Sequence, residues 1–447
     1  MSLINPEDGK GAALVELVSF PNQRMPPKIK TNLLRIICYG CFVLIFSLTI
    51  TAQPKPIRDL RPTVILISLD GFRYDYLQRY RPRNLNALAR TGVRARWMIP
   101  SFPTKTFPNH YTIATGLYPQ NHGIVENNIY DPDFNAVFTL SDRAEVENSR
   151  WWLGEPIWAT AEKQGQRTAS VFYPGTEAEI AGIRSTFWKR YDKKLSNEQR
   201  VDTILSWLDL AAAQRPTLLT LYFSDPDDAG HAHGPISLQT KRAVAEVDRE
   251  IGRLIAGLRD RAIVNQVNLV IVSDHGMASV DWRRAILLDE IFDVNLAERI
   301  FWTRELVSIF PKPGKENEIY QNLKMKLPPQ AKVFRKADLP ARFHYSEGRR
   351  IPPLLVVPDE GWILTNRKAF AEMQAKGDGN SKGGHGYDNL LPSMRAIFIG
   401  HGQAFRKGLI VAPFENVQVY NVIARILRLK PAPNDGDFSV ADELLRR

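Results

Sequence analysis

Five nearly continuous runs of apolar, mostly β-branched residues predict buried strands, at 63–69, 167–173, 217–223, 268–273 and 394–399. Because these runs do not alternate with polar residues, each predicts a strand covered on both faces, as in a parallel sheet. Helix-type patterns fall between them, at 83–91, 155–164, 197–213 and 238–258. Strands that alternate with helices predict an α/β sandwich, with helices on both faces of a mostly parallel sheet.

Residues 280–376 show a different pattern, with shorter apolar runs and frequent proline. We interpret them as a smaller cap subdomain, inserted between two parts of a catalytic α/β domain at 53–279 and 377–447. The glycine-rich stretch 377–386 is expected to be the loop that returns the chain to this domain.

The first 52 residues are interpreted as an N-terminal export segment. The apolar stretch 36–52 follows a short basic region that begins at Met25. This pattern predicts a signal peptide that starts at Met25 and is cleaved after Ala52, and an uncleaved signal anchor is the open alternative. Both cysteines lie in this segment, which favours export to a bacterial periplasm or cell surface. Contact with a membrane is expected only through this segment, and only if it stays uncleaved.

The net charge of +11, from 59 basic and 48 acidic residues, indicates a mildly basic surface. Such a surface favours anionic partners. No run of consecutive Lys or Arg is long enough to resemble a nucleic-acid-binding arm. We therefore expect no stable complex with nucleic acid.

Side chains that can hold a metal ion follow the predicted strands or lie in the glycine-rich loop. They are Asp70, Asp227, His231, Asp274, His275 and His385. An open parallel sheet gathers its chemistry beyond the carboxyl ends of its strands, so we expect these side chains to converge. The spacing of Asp227 and His231 would put both on one face of a helix. Three Asp and three His suit a pair of zinc-class ions, although each motif alone also fits a turn, a helix cap or a surface histidine.

Thr106 is the candidate nucleophile. Pro108 is typical of a first helical turn, which predicts a helix whose amino end lies near Thr106. Free N–H groups at such an end favour a phosphate, and metal coordination can activate a hydroxyl. A purely capping role for Thr106, and Thr104 as a rival nucleophile, remain open. The other histidines are interpreted as structural or supporting residues: His110, His122, His233, His344 and His401.

The motifs around these residues occur together in a known family. They are Ser68-Leu-Asp-Gly-Phe-Arg73, Pro103-Thr-Lys-Thr-Phe-Pro-Asn-His-Tyr111, Asp225-Pro-Asp-Asp-Ala-Gly-His231, Ser273-Asp-His-Gly-Met277 and Gly384-His-Gly-Tyr-Asp-Asn389. With them, the chain resembles the nucleotide pyrophosphatase/phosphodiesterase family of the alkaline phosphatase superfamily, from about residue 63 to residue 438. The resemblance implies an alkaline-phosphatase-like three-layer sandwich.

The resemblance also implies roles for single residues. Two zinc ions would be held, one by Asp227, His231 and His385, and the other by Asp70, Asp274, His275 and the Thr106 oxygen. Thr106 would attack phosphorus to give a covalent phosphothreonine intermediate, and Asn127 matches the family's donor to a phosphate oxygen. Phe107 matches an aromatic residue that stacks on the nucleobase. Trp188 falls where nucleotide-cleaving members often carry a Tyr, and core packing is its alternative.

The activity implied is hydrolysis of phosphodiester or pyrophosphate bonds in nucleotides and nucleotide-like diesters, with release of nucleoside 5'-monophosphates. A phosphate monoesterase and a phospholipid-headgroup phosphodiesterase remain open. A sulfatase is disfavoured because the nucleophile position holds Thr rather than Cys or Ser. The non-enzymatic alternative is an exported, metal-containing binding protein, although structural zinc sites favour Cys-rich ligand sets.

Overall fold

The computed structural model describes residues 54–446. The predicted export segment and its cleavage site therefore lie outside the described residues. Within the described range, no helix combines the length and the apolar character needed to cross a membrane.

An eight-stranded sheet forms the centre of the described chain. Its strands are β1 (Val64–Leu69), β2 (Val93–Ala95), β3 (Thr168–Val171), β4 (Phe187–Lys189), β5 (Leu218–Phe223), β6 (Asn268–Val272), β7 (Phe398–His401) and β8 (Leu409–Val411). Their spatial order is β8-β2-β7-β6-β1-β5-β3-β4. β7 runs antiparallel to both of its neighbours, and every other neighbouring pair is parallel.

Helices cover both faces of this sheet, which gives three layers. The larger ones are α1 (Arg83–Thr91), α2 (Thr106–Thr115), α3 (Ile157–Lys163), α4 (Asn197–Leu208), α5 (Asp225–His233), α6 (Leu238–Asp260) and α7 (Gln418–Leu427). Alternate side chains of β1 separate two apolar cores. Val64 and Leu66 belong to the core with α2, α3 and α7, whereas Ile65 and Ile67 belong to the core with α1, α4 and α6. This division follows the two-residue repeat of a strand.

Polar side chains fix the first turns of several helices. α4 begins at a capping box, in which Ser196 Oγ accepts from the Gln199 N–H and the Gln199 side chain accepts from the Ser196 N–H. The buried carboxylate of Asp248, on α6, accepts from the backbone N–H groups of Asn84 and Leu85 and so caps α1. The helices on this face are thus tied to each other as well as to the sheet.

A second, antiparallel sheet lies between β6 and β7 in the sequence. Its strands are Ala297–Trp302, Val307–Pro311, Ala331–Arg335 and Leu354–Pro358. It packs with the helix Glu316–Lys326 around a separate apolar cluster. These residues fall within 280–376, whose assignment as an inserted cap stays a prediction.

Short elements complete the described chain. The remaining helices are Tyr76–Arg79, Pro119–His122, Arg143–Val146, Arg367–Lys376 and Ser439–Leu444. Two-stranded sheets pair Met98–Ile99 with Phe414–Glu415, Asn128–Asp131 with Ala136–Thr139, Ala278–Ser279 with Gly383–Gly384, and Ala285–Leu287 with Ile363–Thr365.

The predicted α/β fold with a mostly parallel sheet is confirmed. The predicted strand at 394–399 is wrong in extent, because Pro392–Met394 forms a 3₁₀ turn and β7 begins at Phe398. It also runs antiparallel, which a buried apolar run cannot reveal since both faces are covered in either direction. The sequence pattern does not predict β2, β4 and β8, since strands of three residues carry too little periodicity.

Candidate active site

Three segments that carry candidate metal ligands leave the sheet at neighbouring strand ends. Asp70 directly follows β1, and Asp274 and His275 come just after β6. Asp227 and His231 lie one turn apart on α5, which begins shortly after β5. Because β1 lies between β5 and β6, these three strand ends are adjacent at one edge of the sheet.

His385 reaches the same place from the other end of the chain. It follows a two-residue strand that pairs with Ala278–Ser279. Its ring is stacked on that of His275 with the centroids 3.6 Å apart, and its Nε2 is 3.1 Å from Nε2 of His231. Oδ1 of Asp227 lies 3.7 Å from Nε2 of His385 and 3.5 Å from Nε2 of His231. All six candidate ligands therefore converge.

Hydrogen bonds assign one proton on each of the three histidines. Nδ1 of His231, His275 and His385 lies 2.9, 2.8 and 2.8 Å, respectively, from a backbone carbonyl oxygen. Each Nδ1 therefore carries a proton and donates it, which leaves Nε2 as the atom that faces the site. A carbonyl bound to the second ring nitrogen is the usual support of a metal-ligating histidine.

Burial, together with the nearby His275, His231 and Lys105, holds the pKa of His385 well below its ordinary value. Its imidazole is therefore neutral, and its Nε2 presents a lone pair to Nε2 of His231. This lone pair can accept a hydrogen bond from Nε2 of His231 or bind a cation. A neutral imidazole is also the form in which histidine binds a metal ion.

The carboxylates add further lone pairs. Among the described residues, Asp70 Oδ1 and Asp227 Oδ1 have no hydrogen-bond partner, and Asp274 Oδ2 lies 2.9 Å from Nε2 of His275. Burial, and the charges of Asp274 and Asp227, raise the pKa of Asp70 well above its ordinary value. Burial acts on Asp274 in the same direction, but His275 and His110 outweigh it and hold the pKa of Asp274 well below its ordinary value. This mixed nitrogen and oxygen donor set fits divalent metal ions.

His110 also lies beside these carboxylates, but its hydrogen bonds indicate a different role. Its Nδ1 is 2.9 Å from the carbonyl oxygen of Thr106 and 3.3 Å from Oδ2 of Asp274. Its Nε2 is 2.7 Å from Oγ of Ser68, which can donate to it. Both nitrogens are therefore engaged, and His110 positions Thr106 and Asp274 rather than offering a lone pair to an ion.

Thr106 is the first residue of α2 and lies at the edge of the ligand cluster. Its Oγ1 is 3.3 Å from Nε2 of His275, and its side chain is partly exposed. Thr104 is completely buried, and its Oγ1 accepts from the Gly386 N–H at 2.8 Å and donates to the Tyr387 carbonyl oxygen at 3.1 Å. Of the two threonines, only Thr106 has a hydroxyl that substrate can reach.

Asn127 is oriented by the backbone next to Thr106. Its Oδ1 accepts a hydrogen bond of 3.0 Å from the Phe107 N–H. The amide oxygen is thereby fixed on that side, so the NH₂ group of Asn127 points away from it. In the described part of the chain this NH₂ group has no partner, and it can donate to a bound anion.

A cleft of about 260 Å³ opens beside Thr106, and the candidate ligands Asp70 and Asp227 also line it. Its aromatic lining consists of Phe107, Phe172, Tyr173, Tyr191 and Tyr222. The hydroxyl of Tyr222 donates to Asp70 Oδ2 at 2.5 Å, so this side of the cleft is continuous with the ligand cluster. The rest of the aromatic lining offers flat apolar surface for a planar group.

Trp188 is not among the side chains that line this cleft. It lies on β4 with the Arg184 guanidinium 4.6 Å from its ring centroid. The aromatic residue that this segment contributes to the cleft is Tyr191, three positions further along and 38% exposed. Sequence reasoning misses Tyr191 because two aromatic residues lie close together and nothing in the local pattern shows which one leaves the sheet.

Comparison with known proteins places the chain in a family. A family model described as type I phosphodiesterase / nucleotide pyrophosphatase matches residues 64–388. Ectonucleotide pyrophosphatase/phosphodiesterase family member 3 of Bos taurus is 40% identical over 395 residues, which cover 86% of this chain and 44% of that protein. A venom phosphodiesterase of Crotalus durissus collilineatus is 42% identical over 393 residues, covering 86% and 46%. The chain thus spans less than half the length of these two relatives.

Solved structures show the same architecture. Murine ectonucleotide pyrophosphatase/phosphodiesterase 5 matches with a TM-score of 0.80 at 34% identity, covering 86% of this chain and 100% of that one. An inactive threonine-to-alanine form of that murine protein, in complex with AMP, matches with a TM-score of 0.79. The fold is thus the alkaline-phosphatase-like one that the resemblance implies. This chain belongs to the metal-dependent type I phosphodiesterase / nucleotide pyrophosphatase family.

Proposed function

We propose that this chain is a phosphoric diester hydrolase that cleaves phosphodiester or pyrophosphate bonds of nucleotides and releases nucleoside 5'-monophosphates. The observation that carries the proposal is the convergence of imidazole and carboxylate lone pairs beside the hydroxyl of Thr106, at the amino end of a helix. Structural metal sites do not need a reachable hydroxyl, so this combination favours catalysis over a binding function.

The metal ions proposed are two zinc ions. One would be held by Asp227, His231 and His385, and the other by Asp70, Asp274, His275 and Thr106. When bound, such ions withdraw charge from phosphate oxygens and lower the pKa of a coordinated hydroxyl or water. The three carbonyl-bound histidines fit this assignment because their Nδ1–H bonds fix the ring orientations.

Thr106 is proposed to act as the nucleophile. Its Oγ1 would form a bond to phosphorus while the bond to the leaving oxygen breaks, giving a nucleotidyl ester of the threonine. The Thr106 N–H, at the amino end of α2, and the NH₂ group of Asn127 would donate to the phosphate oxygens as their negative charge grows. Water would then hydrolyse the ester, which releases the nucleoside monophosphate and restores the hydroxyl.

The aromatic cleft is proposed to hold the nucleobase. Phe107 is anchored by the rings of Phe138 and Trp152, at centroid distances of 6.0 and 5.9 Å. Tyr191 is held by a T-shaped contact with Phe172 at 5.1 Å. A base between Phe107 and Tyr191 would be bound through its flat faces, with little preference for its identity.

Loss of either stacking residue is expected to weaken nucleotide binding. Base–aromatic stacking contributes about 1–3 kcal/mol, so Phe107→Ala and Tyr191→Ala should each raise KM for a nucleotide diester roughly tenfold. KM for a small aryl diester should change little, since it has no base. Steady-state kinetics on both substrates measure this, with Trp188→Ala as the matched aromatic control. If Trp188→Ala raised KM and Tyr191→Ala did not, the base would stack on Trp188.

The charges around the cleft favour a diester over a monoester. Arg143 is the one cation among the described side chains that line the cleft, and its guanidinium pairs with Glu177. Carboxylates of Asp227 and Asp228 also line the cleft. A monoester carries one negative charge more than a diester, and none of the described side chains that line the cleft supplies an unpaired cation to balance it.

We expect zinc-loaded protein to hydrolyse a nitrophenyl ester of thymidine monophosphate about 100-fold or more faster, in kcat/KM, than nitrophenyl phosphate. Initial rates on the two substrates measure the ratio. A preference for nitrophenyl phosphate would make the chain a phosphatase, and a preference for nitrophenyl phosphocholine would make it a headgroup phosphodiesterase. Zinc binding without turnover of any of the three would support the binding-protein alternative.

A further inference from the structure

A buried ion pair lies directly behind His385. Nζ of Lys105 is 2.8 Å from Oε2 of Glu305, and each side chain is only 7% exposed. Lys105 immediately precedes the proposed nucleophile Thr106. Glu305 lies in the turn between the strands Ala297–Trp302 and Val307–Pro311 of the four-stranded sheet. The pair therefore joins the start of α2 to a sheet that contributes none of the proposed ligands.

The backbone on both sides of His385 packs against this pair. A Cβ atom on Gly384 would lie 2.4 Å from Oε1 of Glu305, and one on Gly386 would lie 2.4 Å from Cε of Lys105. Both distances are far shorter than non-bonded contacts allow. A side chain at either position would have to displace the charged groups, and Gly386 also has a φ of +124°, which favours glycine.

Thr104 holds the same loop from the other side. Its carbonyl oxygen accepts from Nδ1 of His385 at 2.8 Å, and its hydroxyl accepts from the Gly386 N–H at 2.8 Å. The loop is thus hydrogen-bonded to residue 104 and packed against residue 105. A movement of the Lys105 side chain would change where the His385 ring sits.

We propose that Lys105 and Glu305 are positioning residues, which hold the His385 loop against the amino end of α2 and so set ion binding at Asp227, His231 and His385. The inference rests on the proposed function, in which these three side chains bind zinc. A charged pair at 2.8 Å has one favourable geometry, whereas two apolar side chains of similar volume can fill the space in several ways. Residues that orient a ligand from behind typically change metal affinity about 10–100-fold.

The decisive variant replaces both charges. Lys105→Met or Glu305→Gln alone leaves one buried charge without its partner, and each should lower Tm by roughly 5 °C. The double variant Lys105→Met/Glu305→Met removes both charges of the pair, leaves the buried carboxyl of Glu126 as the nearby acidic group, and should recover most of that loss. If the pair positions His385, the double variant should still bind one of its two zinc ions at least about tenfold more weakly.

The measurement is zinc retained per chain of the full-length protein after dialysis against a series of chelator concentrations, with Tm recorded on the same samples. His385→Ala serves as the reference for loss of the zinc ion proposed at Asp227, His231 and His385. Asp274→Ala serves as the reference for loss of the other zinc ion. The double variant should follow the His385→Ala curve. Arg350→Met is the matched control, because Arg350 forms a buried ion pair of 2.6 Å with Asp131 and neither residue is a proposed ligand. This variant should have a lower Tm but keep both zinc ions.

Wild-type zinc affinity in the double variant, with Tm changes in the single variants alone, would overturn the inference and leave the proposed function intact. Wild-type protein that retains no zinc would overturn both. If the double variant does not fold, Glu305→Asp is the variant that tests the inference, because it keeps the negative charge on a shorter side chain. Weaker zinc binding in Glu305→Asp with little change in Tm supports the inference, and unchanged binding overturns it.

Discussion

Replacing Thr106 by Ala is expected to lower kcat by roughly 10³-fold or more while both zinc ions still bind. The variant loses the hydroxyl that reaches phosphorus, but the three aspartates and three histidines that converge beside it are unchanged. Thr106→Ala should therefore keep its zinc content while its kcat falls. Acid-quenched wild-type protein should carry a nucleotidyl group on Thr106 by mass spectrometry, and the variant should carry none.

Two control variants make this result specific. Thr106→Ser keeps a hydroxyl at the same place and should keep measurable turnover. Thr104→Val removes the hydroxyl that binds Gly386 and Tyr387, so it should lower Tm and zinc retention rather than the chemical step. Full activity in Thr106→Ala would exclude Thr106 as the nucleophile. A nucleotidyl group found on Thr104 would then identify Thr104 as the nucleophile.

The variant Asp70→Asn is expected to change stability in opposite directions with and without zinc. In metal-free protein, Asp70 is buried beside Asp274 and Asp227, which raises its pKa well above the ordinary value. Asn at this position could still accept from the Tyr222 hydroxyl, and its NH₂ group would face the carboxylates. Metal-free Asp70→Asn should therefore be more stable than metal-free wild type, by about 1–3 kcal/mol at pH 8.

The pH dependence of this difference follows from the direction of the pKa shift. A carboxyl group with a raised pKa favours the folded state at low pH, and this contribution is lost as the pH rises through the folded-state pKa. The advantage of Asn should thus grow from pH 5 to pH 8. With zinc the order should reverse, and turnover should fall roughly 100-fold or more, because an anionic ligand is lost.

Thermal unfolding at several pH values, with chelator and with zinc, measures these differences. Asp228→Asn is the matched control, since Asp228 lines the same cleft but is exposed and is not a proposed ligand. Asp228→Asn should leave the thermal unfolding curves nearly unchanged, both with chelator and with zinc. A metal-free Asp70→Asn protein that is less stable than wild type at every pH would contradict this prediction, because the buried Asp70 carboxylate would then not destabilise the metal-free protein.

The sequence predicts much of the fold because its strongest signals are local. The run at 64–69 is apolar except for Ser68 and becomes a fully buried strand, and Arg83–Thr91 is a helix with the predicted limits. The spacing of Asp227 and His231 predicts the single helical turn that the structure shows. Convergence of these residues with Asp70 and Asp274 follows from one general property of parallel sheets, without any knowledge of pairing.

Features that depend on distant contacts are not predictable in this way. The direction of β7 depends on how the chain returns from the second sheet, which its own residues do not encode. Tyr191 lines the cleft and Trp188 does not. Which of the two rings faces the cleft depends on where β4 ends, and the local sequence does not show this. The pairing of Lys105 with Glu305 joins residues 200 positions apart, and each alone looks like an ordinary charged residue.

The positions of the converging side chains also bear on how the molecule would resist unfolding. They come from segments as far apart in the sequence as Asp70 and His385, so they can meet only after most of the chain has folded. Ions bound there would not accelerate folding, because their ligands are not yet assembled in its transition state. They would instead slow unfolding, since the first strand and the late loop could not separate without breaking several coordination bonds. Resistance to proteases would then depend on the metal content of the molecule as much as on its core.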